Sequence, residues 1–209
     1  MLTIEIFGLS RTGKTSTLRN LEAHFGSQGQ KCEVITRAPI NFKDCSGLED
    51  FHFRMASYFE QRIAEAQAKN PDYVLMDRGP YDREVMLRAD NEDGELSASF
   101  YQQTSSRLER LQPLVDLPLL FMVEPATSLA RIHSQRDEGL DYSYMCAGIN
   151  TRDNMGELTK LFDRYAQFQI AKPEIIRVNA YGSKEETRIL VLEKIASKRV
   201  KNDGSLGQI

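Results

Sequence analysis

Tryptophan is absent from the 209 residues, and cysteine occurs only at Cys32, Cys45 and Cys146. Three thiols so far apart exclude a disulfide framework and a zinc knuckle, both of which need paired or closely spaced cysteines. Long apolar runs are missing as well, and none approaches the roughly 20 residues of a membrane helix. Met1-Leu2-Thr3-Ile4-Glu5 has neither the basic nor the apolar region of a signal peptide. Neither sign of charge dominates: 27 Lys and Arg against 30 Asp and Glu give a net charge of −3. A mildly acidic chain lacks the basic field that long nucleic acid or an anionic membrane requires, although a local pocket for a small anion is compatible with it. Gly 13 and Pro 7 stand near ordinary usage, which excludes a collagen-like or linker-dominated chain. With 41% hydrophobic and 27% charged residues, general disorder is excluded too. The expectation is a soluble, cytoplasmic, reduced protein with no membrane partner.

Hydrophobic patterning then divides the chain. Residues 2–7 alternate and are rich in Ile, Phe and Thr, as a strand does. Gly8 stops it, and Leu18, Leu21 and Phe25 mark one face of a helix. A second strand is expected over 33–37, ended by Pro39, and a long helix over 48–70 carrying Phe51, Met55, Tyr58, Phe59 and Ile63. Residues 72–76 form a third strand that runs into Asp77, followed by a helix to about 89 and another near 97–111. The nearly continuous apolar run 117–123 fits a strand buried on both faces. Pro125 opens a further helix, 139–153 has no clean period, and Met155, Leu158, Phe162 and Tyr165 mark the next. A fifth strand at 174–178 precedes a last helix with a Ser183/Glu186 capping box. Five strands alternating with helices predict an α/β fold, a five-stranded parallel sheet with helices on both faces. One domain is expected over 1–199, with a frayed tail at 200–209.

Gly8-Leu9-Ser10-Arg11-Thr12-Gly13-Lys14-Thr15 matches G-x-x-x-x-G-K-[ST] in full, between a strand and a helix. Glycines there let backbone N–H groups turn inward around phosphate oxygens, and the helix N-terminus adds positive potential. Gly8, Ser10, Arg11, Thr12, Gly13, Lys14, Thr15 and Ser16 are therefore expected to cradle the phosphates of ATP. Lys14, expected to face solvent, reaches the β and γ phosphates, and the Thr15 hydroxyl serves Mg²⁺. Asp77 ends the third strand at the sheet edge where ligands collect, placed for Mg²⁺ or for the acceptor. Arg78 follows and could meet an anionic acceptor; a helix-capping Asp beside a surface Arg is the alternative. Glu124 also ends an apolar strand, but Pro125 favours a cap or loop role there. Arg131 and Arg136 lie at a helix end before the aperiodic stretch, with Arg152 beyond it. They are read either as a lid over about 136–153, closing on transferring phosphates, or as cations favoured by the helix dipole. His24, His52 and His133 show no metal or nucleophile pattern.

With these motifs in this order, residues 1 to about 198 resemble the thymidylate kinase and deoxynucleoside kinase branch of the P-loop kinases. Gly8 to Thr15, with Arg11, is similar to the thymidylate kinase phosphate loop that carries an arginine. Thr36-Arg37-Ala38-Pro39 looks like the element whose arginine meets the acceptor phosphate, Asp77-Arg78 like the family's Asp-Arg pair, and residues 131–136 like its lid helix. The resemblance implies a phosphotransferase using ATP and Mg²⁺ on a small, nucleotide-like acceptor, and allows a homodimer through the helix at 48–70. Arg11, Lys14, Asp77, Arg131 and Arg136 would carry the transfer, and Arg37, Arg78 and Phe51 the acceptor. Phe51 and Phe53 are each open to base stacking or to core packing.

Ser10 stands where the nearest such loops have an aspartate, Ala38 where an acidic residue is expected, and Gly79-Pro80-Tyr81 where Tyr or Ser usually follows Asp-Arg. A hydroxyl acceptor is served by a carboxylate near it, which nucleoside kinases place at the end of the second strand. Arg37 occupies that place here and suits an acceptor that is already an anion. The reading favoured is a nucleoside monophosphate kinase. The alternatives are a deoxynucleoside kinase, a kinase of another small alcohol or modified base, and, from a different class, a nucleotide-binding switch or module without turnover.

Overall fold

A computed structural model of the chain describes residues 1–36, 39–137 and 154–204, with side chains except at 135–137 and 201–204. Arg37, most of the expected lid and residues 205–209 lie outside the described residues, as does the side chain of Arg136. The order along the chain is β1 (Leu2–Gly8), α1 (Lys14–Ser27), β2 (Cys32–Ile35), α2 (Leu48–Ala68), β3 (Tyr73–Asp77), α3 (Pro80–Glu92), α4 (Ala98–Leu111), β4 (Leu117–Met122), α5 (Pro125–Asp137), α6 (Met155–Ala171), β5 (Ile176–Asn179) and α7 (Lys184–Gly204). Helix α7 thus runs through Gly204, into the segment that the sequence leaves as a tail. Its capping box forms: Ser183 N–H donates to Glu186 Oε2 at 2.6 Å and Glu186 N–H to Ser183 Oγ at 3.1 Å.

The strands form one parallel sheet in the order β2-β3-β1-β4-β5. Every connection must therefore cross a face, which places helices on both sides. One face packs Phe7, Ile35, Val74, Met76 and Leu120 against α2, α3 and α6. The other packs Ile4, Ile6, Leu75, Leu119 and Val178 against Leu21 and Phe25 of α1 and Val191 and Ile195 of α7.

Strand β1 lies in the middle, and all seven of its residues are buried. Its alternation of apolar with Thr3 and Glu5 is therefore not an inside–outside pattern: α3 covers the polar side. The strand ends are in register, with Ile6 opposite Asp77 and Gly8 opposite Phe121. The phosphate loop, Asp77 and the exit of β4 are brought to one edge by that register. Gly8 is required there. Its φ of 121° lies in the left-handed region, and a Cβ would come within 2.2 Å of the Phe121 carbonyl oxygen.

Candidate active site

The loop from Gly8 to Thr15 turns through two left-handed residues, Arg11 at φ 58° and Gly13 at φ 88°; turns of this kind can form backbone N–H concavities that bind anions. Lys14 is buried, contrary to the solvent-facing position expected of it. Its ammonium donates to the Leu9 carbonyl inside the loop and to Thr12 Oγ1 at 3.2 Å. Thr12 Oγ1 in turn donates to the Leu9 carbonyl at 3.0 Å. The positive charge sits within the cradle and has carbonyl and hydroxyl contacts that a phosphate oxygen could replace.

Thr15 is exposed at the first turn of α1, and its hydroxyl donates to Asp77 Oδ2 at 2.7 Å. Residues 62 positions apart thereby meet as two oxygen donors beside the phosphate loop. Hard oxygen groups in this number suit Mg²⁺, which binds few protein carboxylates and completes its shell with water and phosphate. No group of three or more metal-ligating side chains occurs among the described residues.

Helix α5 holds the loop from outside. Ser128 Oγ donates to the Ser10 carbonyl at 2.8 Å. Arg131 donates through Nη1 to the Arg11 carbonyl at 3.1 Å and through Nη2 to the Ala180 carbonyl at 3.2 Å. Arg131 therefore ties the phosphate loop to the β5–α7 connection. That contact set is one that neither its helical position nor its charge announces. Glu124, between β4 and α5, accepts at 2.9 Å from the hydroxyl of Tyr181 in the same β5–α7 connection.

Arg78 has a left-handed φ of 66°, unusual for a side-chain-bearing residue. Its Nη1 donates to Asp82 Oδ1 at 2.7 Å, and its side chain is only 14% exposed. It is a partly buried, paired cation and not a surface arginine. Asp82 also accepts from the Tyr165 hydroxyl at 2.6 Å and from Arg83 Nη2 at 2.8 Å. Glu5, wholly buried on β1, accepts from the N–H groups of Tyr81 at 3.1 Å and Asp82 at 2.9 Å, pinning the first turn of α3. Gly79 makes room for it: a Cβ there would lie 2.8 Å from Glu5 Oε2.

Burial alone would raise the Asp82 carboxyl, but the guanidinium groups of Arg78 and Arg83 override it and hold it well below the usual carboxylate range. Burial pushes Glu5 up to about 8, against the backbone N–H groups that pull it down. The signs oppose. Asp82 contributes stability that is present above its unfolded pKa of about 3.9 and is lost as pH falls below it. Glu5 is disfavoured when charged, so stability declines as pH rises from its unfolded pKa of about 4.3 toward 8. Urea midpoints measured from pH 3 to 9 are expected to peak at about pH 4, between the two unfolded values. Glu5→Gln should flatten the alkaline limb and Asp82→Asn the acid one; an alkaline limb unchanged in Glu5→Gln would refute the assignment.

Phe51 packs in the core with its ring edge-on to Phe42 at 5.7 Å, so core packing holds it and no stacking face is offered. Phe53 is 52% exposed and lies under the Arg107 guanidinium at 4.8 Å. His52 is buried and bonded to Asp90 at 2.7 Å across α2 and α3, a satisfied histidine.

No family model and no curated protein matches the sequence. Solved structures do. Deoxyadenosine kinase from M. mycoides with products dCMP and a flexible dCDP bound superposes with a TM-score of 0.63 at 16% identity, covering 94% of this chain and 100% of that one. The same enzyme with bound dATP gives 0.63 at 16% identity over 92% and 98%, and with bound dCTP 0.57 at 14% over 94% and 100%. The chain thus has the fold of these structures.

Proposed function

We propose that the chain is a phosphotransferase that passes the γ-phosphoryl group of ATP to a nucleoside 5′-monophosphate or a closely related phosphate ester. The Thr15–Asp77 bond carries this reading. It sets a carboxylate and a hydroxyl beside a complete phosphate loop, where a metal–triphosphate would be held. Mg²⁺ held by these two groups would supply charge neutralisation at the β and γ phosphates. Lys14 binds and neutralises phosphate oxygens, and the inward N–H groups of the loop orient them. Arg11, Arg78, Arg131 and Arg136 are the cations available to charge that builds up in transfer.

Carboxylate bookkeeping supports an anionic acceptor. Asp77 is engaged by Thr15, Asp82 by Arg78 and Arg83, Glu5 by the α3 backbone and Glu124 by Tyr181. None of these is placed as a dedicated base for a neutral hydroxyl, whereas a phosphate nucleophile needs only positioning and neutralisation. Arg37, following β2, would supply part of that. The second reading is a deoxynucleoside kinase, favoured by what the similar solved structures are named for; Asp77 would then double as the base.

Arg37→Ala separates the two. Loss of one charge-assisted phosphate contact should raise KM for a monophosphate acceptor by about one to two decades and leave KM for ATP nearly unchanged. The check is steady-state kinetics on a matched nucleoside and its monophosphate, in wild type and variant. A wild type that prefers the nucleoside, with that preference unaltered in Arg37→Ala, would transfer the assignment to the deoxynucleoside kinase reading.

A further inference from the structure

We propose that Asp82 is a positioning residue, locked by Tyr165 from α6, which sets the Arg78 guanidinium for the acceptor. The proposal rests on the reading above, in which Arg78 meets an acceptor anion.

Asp82 is completely buried and its contacts come from three directions. Its N–H donates to Glu5 of β1, its Oδ2 accepts from Arg83, and its Oδ1 accepts from the Tyr165 hydroxyl. The first fixes the Asp82 backbone and the other two hold its carboxylate, all three independently of Arg78. The acceptor for the Arg78 fork is thus preorganised.

Stability is a poor explanation for such an arrangement. One buried carboxylate facing two guanidinium groups is not neutral, and buried ion pairs commonly fail to recover their desolvation cost. Nor is the Arg78–Asp82 pair built for greatest strength. The 2.7 Å contact runs through Nη1, whereas two parallel N–H···O bonds make the strongest arginine–carboxylate pair. A contact at one end of the fork fixes its direction. The residue so fixed directly follows Asp77, whose Oδ2 meets Thr15, so its direction is set at the edge where phosphoryl groups would meet.

Tyr165 is the discriminating member. Its hydroxyl lies 2.6 Å from Asp82 Oδ1 and 3.4 Å from Arg78 Nη1, and its ring is buried against Phe7 at 6.1 Å. Phenylalanine would keep the ring and remove only the hydroxyl, which constrains Asp82 and also accepts from Arg78 Nη1. Arg78→Ala is also tolerable, because Arg83 still pairs with Asp82.

The test is a double-mutant cycle of Arg78→Ala and Tyr165→Phe, with acceptor KM, ATP KM, kcat and urea midpoint measured for each protein. The acceptor is whichever deoxynucleoside or deoxynucleoside 5′-monophosphate the wild type turns over fastest. Tyr165→Phe should raise acceptor KM about three- to tenfold, with ATP KM within about twofold of wild type. In the Arg78→Ala background it should add nothing to acceptor KM, because the group it positions is gone. An unchanged acceptor KM in Tyr165→Phe, beside a raised one in Arg78→Ala, would overturn the positioning role while leaving Arg78 at the acceptor. Additive effects on acceptor KM would overturn it equally. An unchanged acceptor KM in Arg78→Ala would overturn the reading of Arg78 itself, and the proposal with it.

Discussion

Replacing Lys14 with alanine is expected to lower phosphoryl transfer by roughly three decades or more, with a folded protein retained. The magnitude follows from charge. Transfer offers the protein little covalent chemistry, so rate comes from positioning and neutralisation, and removal of a single preorganised donor commonly costs roughly two to three decades. Lys14 does more than one donor, since its ammonium is the cation inside the cradle. The fold should survive because the contacts left behind still satisfy one another. Thr12 Oγ1 already donates to the Leu9 carbonyl at 3.0 Å and continues to do so without Lys14. The alanine methyl adds no strain at a helical position. Circular dichroism and the urea midpoint check the fold, and a coupled ADP-release assay with acceptor checks the transfer. A folded Lys14→Ala protein that keeps most of its activity would refute the assignment of the loop.

Asp77→Asn is expected to reduce turnover by roughly two to four decades, as loss of metal or acid–base organisation does. The substitution is nearly isosteric, and an amide oxygen can still accept the Thr15 hydroxyl that now lies at 2.7 Å. What is lost is the negative charge. The Mg²⁺ concentration for half-maximal turnover should therefore rise along with the loss in kcat. Unchanged turnover with a shifted urea midpoint would make Asp77 a structural cap at the end of β3, the role that any aspartate ahead of a turn can play.

The parts of this site that were legible in the sequence are those whose chemistry is local. The phosphate loop is a spacing of eight residues between a strand and a helix, and Asp77 is the polar end of an apolar run. The Ser183–Glu186 box is likewise contained within one turn. Lys14 is buried with its ammonium turned back onto the Leu9 carbonyl and the Thr12 hydroxyl, a conformation that the spacing of the motif does not state. The rest of what escaped depends on contacts far apart in the chain. Strand β1 reads as alternating, yet Glu5 is covered because α3 lands on it and uses its carboxylate as a cap. Arg78 reads as an acceptor ligand or a surface cation; its contact with the hydroxyl of Tyr165, 87 residues on, is encoded in neither. The arginine of α5 is ambiguous in the sequence. Arg131 reads as a phosphate cation before a lid or as a cation favoured by the helix dipole, two roles with the same sequence signature. The packing of α5 beside the loop adds the bridge from Arg131 to the Arg11 and Ala180 carbonyls, which neither reading contains.

Acceptor-dependent transfer of the terminal phosphate tests the central claim most directly. ATP labelled in the γ position, with Mg²⁺, would be incubated with the wild-type chain and with a panel of deoxynucleosides and their 5′-monophosphates. Label should appear on an acceptor, with a monophosphate preferred, and should be absent from the Lys14→Ala protein under the same conditions. Nucleotide binding without label on any acceptor, and with ADP release that no acceptor stimulates, would contradict the account and make the chain a nucleotide-binding switch.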